Sequence, residues 1–402
     1  MKKQTTIFMT GATGFVGSNL AYEFLNHGYS LKLLVRGENA EQKIDSLFYK
    51  LYYKPEEYSK FKKRVEIIKG DITKENLGIS VQDIERLSQE IGSVFHCAAS
   101  VSFDESEKEE IEKQNVGGTK NLLEFMCRLK LHELHYMSTA YVAGQRIGIV
   151  YEDELDKGQS FNNTYEESKF KAERLVKSYG ERYNIETTIY RPAIIVGDSK
   201  TGRTSSFWGF YSLVKSLYTL IRIFKEDLKR NGRRSNSSGV YYKDKVLYMP
   251  LRVRGIPDKT LNLVPIDYVV NVVMRIFKDK NTHSKIYHVT NPNPATLEYI
   301  QRLVCDCLDV SGVKIAEPLD FQTKPINQWE EFFSECIQNF APYLQKEEPT
   351  FSNKNTQEVL NGTNIRCPHI TKNLISKLIS YCIDTDWGKK INESLLHTAI
   401  NY

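Results

Sequence analysis

Tyr165 and Lys169 stand four residues apart at the start of a segment with the apolar spacing of a helix. On a helix the two side chains share one face. A lysine ammonium beside a phenol stabilises the phenolate, which eases proton transfer from a group whose unperturbed pKa is about 10. Such pairs also occur by chance on amphipathic helices, so the surrounding motifs decide the function. Thr164, with Glu167 three residues later, predicts a capping box at the helix start.

The first half of the chain alternates apolar, β-branched runs with helical patterns. The runs cover residues 5–9, 31–35, 65–68, 93–97, 134–137 and 187–190. Alternation of this kind predicts a parallel sheet with helices on both faces. We therefore expect an α/β protein with a Rossmann-type, doubly wound fold.

A glycine-rich loop follows the first predicted strand and precedes a predicted helix. Glycines allow a tight turn and let backbone N–H groups approach a pyrophosphate at a helix N-terminus. Because strand, loop and helix occur in the required order, the motif predicts nucleotide binding. The residues expected to contact the nucleotide are Gly11, Thr13, Gly14, Phe15, Val16 and Gly17.

Arg36 ends the second predicted strand, 36 − 17 = 19 residues after the last glycine of the loop, and the next acidic residue is Glu38. At this place a carboxylate binds the ribose 2′-hydroxyl of NAD, whereas an arginine accommodates the 2′-phosphate of NADP. The sequence thus favours NADP(H), with Lys43 as a second contact. The alternative is that Arg36 is a solvated residue at the strand end.

Length and composition narrow the class of protein. A chain of 402 residues exceeds one ordinary core and predicts a second, smaller domain. The net charge of +5, from 55 basic and 50 acidic residues, is too small to indicate nucleic-acid binding. The seven cysteines form no CxxC pair and have no histidine at zinc-ligand spacing, so we expect no metal site and reduced thiols in a cytoplasmic protein. The apolar segment 207–224 carries Lys215 and Arg222, so no transmembrane helix is expected.

The motifs together resemble those of an extended short-chain dehydrogenase/reductase. They are, in order, the glycine loop, Gly70-Asp71-Ile72, "FHCAASV" (95–101), "NVGGTKNLLE" (115–124), "MSTAYV" (137–142), Tyr165-x-x-x-Lys169 and "YRPAIIVGDSKTG" (190–202). The "STAYV" form, "RPAIIVGDSKTG" and "LVPIDYVVN" (263–271) are most similar to the thioester reductases. That group includes reductase domains of peptide and polyketide synthetases, carboxylic acid reductases and fatty acyl-CoA reductases. The resemblance covers about residues 5 to 300.

The resemblance implies a catalytic triad of Thr139, Tyr165 and Lys169. Tyr165 would protonate the forming alkoxide, Thr139 would hydrogen-bond the same oxygen, and Lys169 would lower the pKa of Tyr165 and bind the nicotinamide ribose. Cofactor contacts are also implied for Asp71 and Ile72 near the adenine, Ala98 and Ala99 in the cleft, and Pro192, Ile194 and Ile195 behind the nicotinamide.

Several polar residues near these motifs have competing interpretations. Ser138 neighbours Thr139, and only one of two adjacent strand residues can face the cleft; the family pattern favours Thr139. Asn115 either positions Lys169 through water or is an ordinary polar helix residue, and Arg191 is expected in an ion pair. His96 and Cys97 are expected in the core. The acidic run 104–112 is expected to be a solvated helix face or a mobile loop.

The segment 222–254 carries ten basic and three acidic residues, a net of 10 − 3 = +7, and contains "NGRRSNSSG", a loop by composition. It follows an aromatic amphipathic segment that starts at Phe207. This pairing suits an acyl chain carried on coenzyme A or on an acidic carrier protein bearing phosphopantetheine. The alternative is a helix that only caps the core beside a soluble loop.

The sequence therefore predicts an NADP(H)-binding Rossmann domain of residues 1–200, which also receives 258–290. Residues 201–257 and 291–402 would form a mainly helical substrate domain or lid. The predicted reaction is NADPH-dependent reduction of an acyl thioester to an aldehyde, and then to the alcohol if the aldehyde re-enters. The alternatives are a reductase, epimerase or dehydratase acting on a nucleotide sugar or another small carbonyl substrate, and a non-catalytic NADP(H) sensor. Homodimers are common in the superfamily.

Overall fold

The computed structural model describes residues 6–51, 59 and 61–389. Its centre is a parallel sheet of seven strands in the order β13-β7-β5-β4-β1-β2-β3. These strands are β1 (Thr6–Thr10), β2 (Ser30–Val35), β3 (Val65–Lys69), β4 (Ser93–His96), β5 (Glu133–Met137), β7 (Glu186–Pro192) and β13 (Ile286–Val289). The six strands predicted from the sequence are confirmed, although the predicted start of the first, residue 5, lies outside the described residues. The doubly wound α/β fold is confirmed with them.

Helices cover both faces of the sheet because adjacent strand residues point to opposite sides. Ile7 and Met9 of β1 join one core, whereas Phe8 between them joins the other. The first core contains α1 (Phe15–Asn26), α2 (Ala40–Leu51) and α9 (Ile266–Lys278). The second contains α3 (Val81–Glu90), α5 (Gly118–Leu129) and α6 (Thr164–Tyr183). Before α5 lie α4 (Lys108–Glu112) and a π-helical turn (Lys113–Gly117), and 3₁₀ turns occupy Glu75–Gly78, Glu105–Glu107, Ala140–Ala143 and Lys280–Thr282.

The start of α6 differs by one residue from the predicted capping box. Asn163, not Thr164, is the N-cap, and its side chain accepts a hydrogen bond from the backbone N–H of Glu166. The carboxylate of Glu166 in turn accepts from the backbone N–H of Asn162 at 2.8 Å. Asparagine caps a helix as well as threonine does, so two adjacent capping residues leave the boundary ambiguous in sequence. Tyr165 and Lys169 still fall in the first two turns.

The remainder of the described chain forms the part that lies beside the sheet. Its helices are α7 (Phe210–Arg230), α8 (Arg233–Ser237), α10 (Leu297–Leu308), α11 (Pro318–Thr323), α12 (Gln328–Cys336), α13 (Pro342–Gln345), α14 (Lys354–Leu360) and α15 (Lys372–Asp384). A small sheet in the order β15-β10-β9 is built from β9 (Tyr241–Lys243), β10 (Val246–Arg254) and β15 (Val310–Ala316). Short pairs join β6 (Ile149–Val150) to β16 (Thr350–Phe351), β8 (Ile194–Val196) to β12 (Leu263–Pro265), and β11 (Thr260–Leu261) to β14 (Ala295–Thr296).

The basic segment 222–254 is more ordered than its composition suggests. The expected loop contains the short helix α8, and β9 and β10 pair as an antiparallel hairpin. The aromatic segment forms α7, and Phe210, Tyr211 and Leu217 on it are buried in the core. The prediction of a loop over residues 231–239 is therefore wrong where α8 (Arg233–Ser237) stands. Across the described residues, none of the helices combines the length and the apolar character that crossing a bilayer requires.

A candidate active site at the carboxyl edge of the sheet

A cleft of about 630 Å³ opens where β1, β4, β5 and β7 end. The chain enters it as Gly11 after β1, Cys97 after β4, Thr139 after β5 and Ala193 after β7. The strand order reverses beside β1, which has β2 on one side and β4 on the other. Doubly wound sheets bind their ligands at this kind of switch point.

The glycine loop forms one end of the cleft in a conformation that only glycine can adopt there. Gly11 has φ +75°, and a Cβ on it would lie 2.5 Å from the backbone nitrogen of Ala98. A Cβ on Gly17 would lie 2.1 Å from the carbonyl oxygen of Gly11. Helix α1 begins at Gly14 without a side-chain cap, so its first-turn N–H groups are available to an anion. These features fit the pyrophosphate of a dinucleotide.

The three predicted catalytic side chains lie together along the wall of the cleft. Thr139 follows β5 in an extended conformation, and its hydroxyl accepts from the backbone N–H of Tyr141 and donates to the carbonyl of Pro192 at 3.4 Å. Lys169 is 3 % exposed and donates to the carbonyl of Met137 at 2.8 Å. The end of β5 and the start of α6 thus bring the triad together.

Burial dominates the proton affinities of this triad. It raises the pKa of Tyr165, the nearby Glu166 carboxylate raises it further, and the hydrogen bond with Thr139 acts in the opposite direction. Burial lowers the pKa of Lys169 to about 8, although Glu173 opposes the shift. The net shift on Tyr165 is opposite to the lowering that the tyrosine–lysine pairing predicts. A tyrosine with a raised pKa keeps its proton at neutral pH, as a proton donor must.

Ser138 and Thr139 both line the cleft, but the hydroxyl of Ser138 is bonded to a buried carboxylate behind it. Its hydroxyl donates to Glu173 at 2.6 Å. Glu173 also forms an ion pair with Arg191 at 2.6 Å, and both side chains are fully buried. The expectation that Arg191 belongs to an ion pair is confirmed. The buried pair fixes β7 to α6 directly behind the triad.

The residues expected at the adenine end lie outside the lining of the cleft. Arg36 is exposed after β2, and its carbonyl accepts from the ammonium of Lys43 at 3.1 Å. Asp71 accepts two hydrogen bonds from Thr73, and these bonds, with the charge of Arg36, hold its pKa below the ordinary value. Some of the predicted cofactor-binding residues therefore line the cleft and others do not. It includes Gly11, Thr13, Gly14, Phe15, Val16, Gly17, Ala99, Pro192, Ile194 and Ile195 but not Arg36, Asp71, Ile72 or Ala98.

His96 and Cys97, which were expected to belong to the core, are held there by hydrogen bonds or by burial. His96 lies between the hydroxyls of Thr10 and Thr119, at 2.6 and 3.0 Å, and burial lowers its pKa to about 3. Burial also raises the pKa of the Cys97 thiol to about 12, so it stays protonated. These contacts confirm the interpretation of His96 as a hydrogen-bonded core histidine, and Cys97, which also touches the cleft, is an inert thiol.

Asn115 and the acidic run hold the loops that frame the cleft. The side-chain amide of Asn115 accepts a hydrogen bond from the backbone N–H of Ser100 and donates one to its carbonyl. It also donates to the hydroxyl of Ser168 at 2.8 Å. It therefore joins the loop after β4 to α6, and its described contacts do not include Lys169. The acidic run is largely an exposed helix face, as expected, but Glu105 accepts from the first backbone N–H of α6 at 3.1 Å.

An aromatic wall faces the triad, and the sequence analysis missed most of it. Its members that come from distant parts of the chain are Phe103, Tyr141, Phe207, Trp208, Phe340, Tyr343 and Trp387. Trp208 is 71 % exposed and marks the opening of the cleft. Tyr141 lies in the "STAYV" motif and could have been singled out there. Phe340 and Tyr343 lie in the tail, where no motif pointed to them.

One buried and one partly buried carboxylate hold the aromatic wall against the triad. Glu166 accepts from the hydroxyl of Tyr343 at 2.6 Å, and Glu348 accepts from the hydroxyl of Tyr141 at 2.8 Å. Burial raises the pKa of both carboxyl groups. The ammonium of Lys259 bonds the carbonyls of Tyr343 and Lys346 and so holds the same segment. The segment around 343–348 is thus anchored beside Tyr165.

Several known proteins are similar to this chain in sequence. An NAD-binding family model described as "Male sterility protein" matches residues 9–273. A nonribosomal peptide synthetase of Aspergillus flavus is 24 % identical over 301 residues, covering 72 % of this chain and 26 % of the synthetase. Fatty acyl-CoA reductase 1 of Gallus gallus is 30 % identical over 223 residues, covering 47 % of this chain and 43 % of the reductase. The chain thus spans less than half the length of either relative.

A solved structure extends the likeness over nearly the whole fold. The terminal R domain from the myxalamid PKS-NRPS biosynthetic pathway superposes with a TM-score of 0.76 at 24 % identity, covering 96 % of this chain and 92 % of that domain. At this identity the superposition establishes the shared fold. The small sheet and the tail helices belong to the likeness as well as the parallel sheet.

Proposed function

The chain belongs to the NAD-binding family described as male sterility proteins, and from this membership we propose that it is a thioester reductase that uses NADPH. It would reduce an acyl thioester to an aldehyde and release the thiol. One observation carries the proposal: Thr139, Tyr165 and Lys169 line a cleft that also contains the glycine loop and an aromatic wall.

In the proposed reaction, some of the three residues would transfer a proton and others would orient the reactants. The reduced nicotinamide, when bound, supplies the hydride that adds to the thioester carbonyl carbon. Thr139 and Tyr165 would hold the carbonyl oxygen, and Tyr165 would give its proton to the oxyanion. Loss of the thiol from the resulting hemithioacetal leaves the aldehyde. Overall, one thioester, one NADPH and one proton give one aldehyde, one thiol and NADP⁺.

Lys169 would orient the cofactor while keeping its charge. Its ammonium is anchored to the carbonyl of Met137 and lies 4.3 Å above the ring of Tyr136. An ammonium has three donors, so further hydrogen bonds to the nicotinamide ribose remain available. Because its pKa is about 8, it is mainly charged at neutral pH.

The preference for NADPH rests on the end of β2. Arg36 is exposed there, and Lys43 reaches the same turn. A guanidinium binds a phosphate through paired hydrogen bonds, which a bare ribose diol cannot match. Two cations at the place of the 2′-phosphate therefore support NADP(H) over NAD(H).

The apolar lining of the cleft favours a hydrophobic substrate. Lys169 is the only charged side chain among the described residues that line it. A nucleotide-sugar diphosphate, the alternative substrate class, needs cationic partners there, whereas an acyl chain packs well against aromatic rings. The lining thus weighs against the sugar substrate and for an acyl group.

The carrier of the acyl group would approach over the basic surface of the substrate part. Exposed cations on that surface are Arg222, Lys229, Arg230, Arg233, Arg234, Lys243 and Lys245. Arg252 is not among them, because Glu330 and three backbone carbonyls already bind its guanidinium. The phosphates of coenzyme A and an acidic phosphopantetheine carrier protein both suit such a surface.

The test follows NADPH oxidation by purified protein with a panel of acyl-CoA thioesters and acyl carrier proteins, with product analysis. Tyr165→Phe removes only the proton-donating hydroxyl, and Tyr183→Phe, an exposed tyrosine at the far end of α6, is the matched control. We expect thioester-dependent oxidation that falls by a factor of about 10² to 10⁴ in Tyr165→Phe and is unchanged in Tyr183→Phe. The products distinguish release of the aldehyde from a second reduction to the alcohol. Binding of NADPH without consumption of any thioester would reject the proposal.

A further inference from the structure

Two histidines and a glutamate meet at the amino end of the sheet, at the opposite end of β5 from the cleft. Glu133 begins β5, His135 follows two residues later, and His283 lies between α9 and β13. One carboxylate oxygen and one nitrogen from each imidazole lie within 4.8 Å of one another. Residues 133 and 283 are 150 apart in sequence, so the spacing that usually reveals a metal site is absent.

The hydrogen bonds of His283 leave one nitrogen directed at the glutamate without a partner. Nε2 lies 3.2 Å from the carbonyl of Phe277, and because a carbonyl only accepts, Nε2 carries the proton. The lone pair of Nδ1 then faces Oε1 of Glu133 at 3.9 Å. The side chain is 3 % exposed, and Nδ1 has no hydrogen-bond partner among the described residues. A buried imidazole nitrogen and a partly buried carboxylate oxygen, both acceptors, therefore face each other with no donor between them, which is unfavourable.

His135 completes the same arrangement from the other side. Its Nε2 lies 3.2 Å from Oε1 of Glu133, and its Nδ1 lies 2.9 Å from the hydroxyl of Tyr190. The rings of His135 and His283 are 4.7 Å apart and nearly perpendicular. Each imidazole thus has one nitrogen held by an oriented outer partner and the other directed at the same carboxylate oxygen. Outer hydrogen bonds of this kind fix the tautomer of metal-binding histidines.

The remaining charged group nearby pairs with the other oxygen of the Glu133 carboxylate. The ammonium of Lys280 pairs with Oε2 of Glu133, not Oε1, and its side chain is 63 % exposed. The Glu133 side chain is 15 % exposed, so the cluster can be reached from solvent along this side. Lys280 offsets part of the negative charge but donates nothing to His283.

We propose that Glu133 Oε1, His135 Nε2 and His283 Nδ1 bind a Zn²⁺ ion. Two histidines and a carboxylate are a common ligand set for zinc, with metal–ligand distances of about 2.0–2.2 Å. A tetrahedral site with such distances places its ligand atoms roughly 3.3–3.5 Å apart. The two measured separations from Glu133, 3.2 and 3.9 Å, are close to that requirement. With three protein ligands, a water molecule would complete the tetrahedron, and the ion would join β5 to the segment before β13, remote from the triad.

The test uses full-length, tag-free protein freed of metal by a chelator and then titrated with Co²⁺, whose visible absorption reports coordination by nitrogen and oxygen. Zn²⁺ is added afterwards to displace the cobalt. We expect one equivalent of each metal to bind and Zn²⁺ to raise the melting temperature of the protein. His283→Gln should weaken binding at least tenfold and abolish the rise in melting temperature, whereas His369→Gln, an exposed histidine elsewhere, should change neither.

Circular dichroism checks the fold of each variant. If His283→Gln is not folded, Glu133→Gln, a smaller change in shape, replaces it with the same expected loss. The proposal is overturned if the wild-type protein takes up no stoichiometric metal at micromolar concentrations. It is equally overturned if folded variants at position 283 or 133 bind as tightly as the wild type.

Discussion

Replacing Glu173 by glutamine is expected to destabilise the protein strongly, because it leaves the guanidinium of Arg191 buried without its counter-ion. Both side chains are fully buried. Arg191 donates three hydrogen bonds of 2.6, 3.1 and 3.2 Å to the carboxylate. Ser138 can donate to a glutamine carbonyl as it does to the carboxylate, so its bond is retained. Breaking a buried pair from one side costs about 3–5 kcal/mol, and we expect a loss of that size in the free energy of unfolding.

Urea denaturation of the wild type and the variant, followed by tryptophan fluorescence, measures this loss. The matched control is Glu167→Gln on the same helix, whose carboxylate pairs with Lys171 at 2.9 Å and whose side chain is 32 % exposed. A partly exposed pair of this kind contributes at most about 1 kcal/mol. If Glu173→Gln loses no more free energy than Glu167→Gln, the reasoning about the buried pair is wrong.

A double replacement separates the cost of the orphaned charge from the loss of packing. Glu173→Leu combined with Arg191→Met removes both charges and keeps apolar volume, and should recover most of the stability that Glu173→Gln loses. Recovery should be incomplete, because Arg191 also donates to the carbonyl of Glu152 at 3.2 Å. A double variant as unstable as the single one would indicate that packing, not charge, sets the loss.

Three further outcomes are expected. The kcat/KM for NADPH should fall as the pH rises through about 8, where Lys169 of the free enzyme loses its proton, and a flat profile between pH 7 and 9 would count against that assignment. Arg36→Ala should raise the KM for NADPH by about tenfold to 150-fold, equivalent to about 1.5–3 kcal/mol, and should leave the KM for NADH unchanged. Equal increases in both KM values would contradict a contact between Arg36 and the 2′-phosphate. Gly17→Ala should abolish NADPH binding in a fluorescence titration, because its Cβ would meet the Gly11 carbonyl at 2.1 Å, whereas Gly14→Ala, with 3.3 Å available, should bind more tightly than Gly17→Ala.

The sheet was predictable because buried parallel strands are continuous apolar runs. Six of its strands carry that signal. The seventh, β13, reads Ile-Tyr-His-Val and was not predicted as a strand, although its region was assigned to the cofactor domain. Local patterns therefore identified one edge strand of the sheet, β3, and missed the other, β13.

The proximity of the three predicted catalytic residues was predictable for a different reason. Thr139 lies in one short motif, and Tyr165 and Lys169 lie together in another. The order of these motifs matches a known family, so two separate segments could be placed side by side without a structure. The choice of Thr139 over Ser138 came from the family pattern, and in the structure the hydroxyl of Ser138 is bonded to Glu173. The net pKa of Tyr165 was not predictable, because it depends on burial that no local pattern contains.

Contacts between segments far apart in sequence could not be predicted. Tyr343 meets Glu166 across 177 residues, and Glu348 meets Tyr141 across 207. Neither partner belongs to a motif that names the other. The aromatic wall and the Glu133, His135 and His283 cluster both arise from such pairings, which only the folded chain assembles.

The position of β13 has a consequence for how the protein can be shortened or assembled during synthesis. Strand β7 ends at residue 192, yet its outer neighbour β13 begins only at residue 286, so α7, α8 and the β9–β10 hairpin are made before the sheet is complete. A chain cut after residue 257 would leave the backbone groups of β7 unpaired along an open edge. Unpaired edges of this kind recruit other strands, so we expect such fragments to aggregate. The parallel sheet is therefore completed by a strand that is synthesised only after α7, α8 and the β9–β10 hairpin.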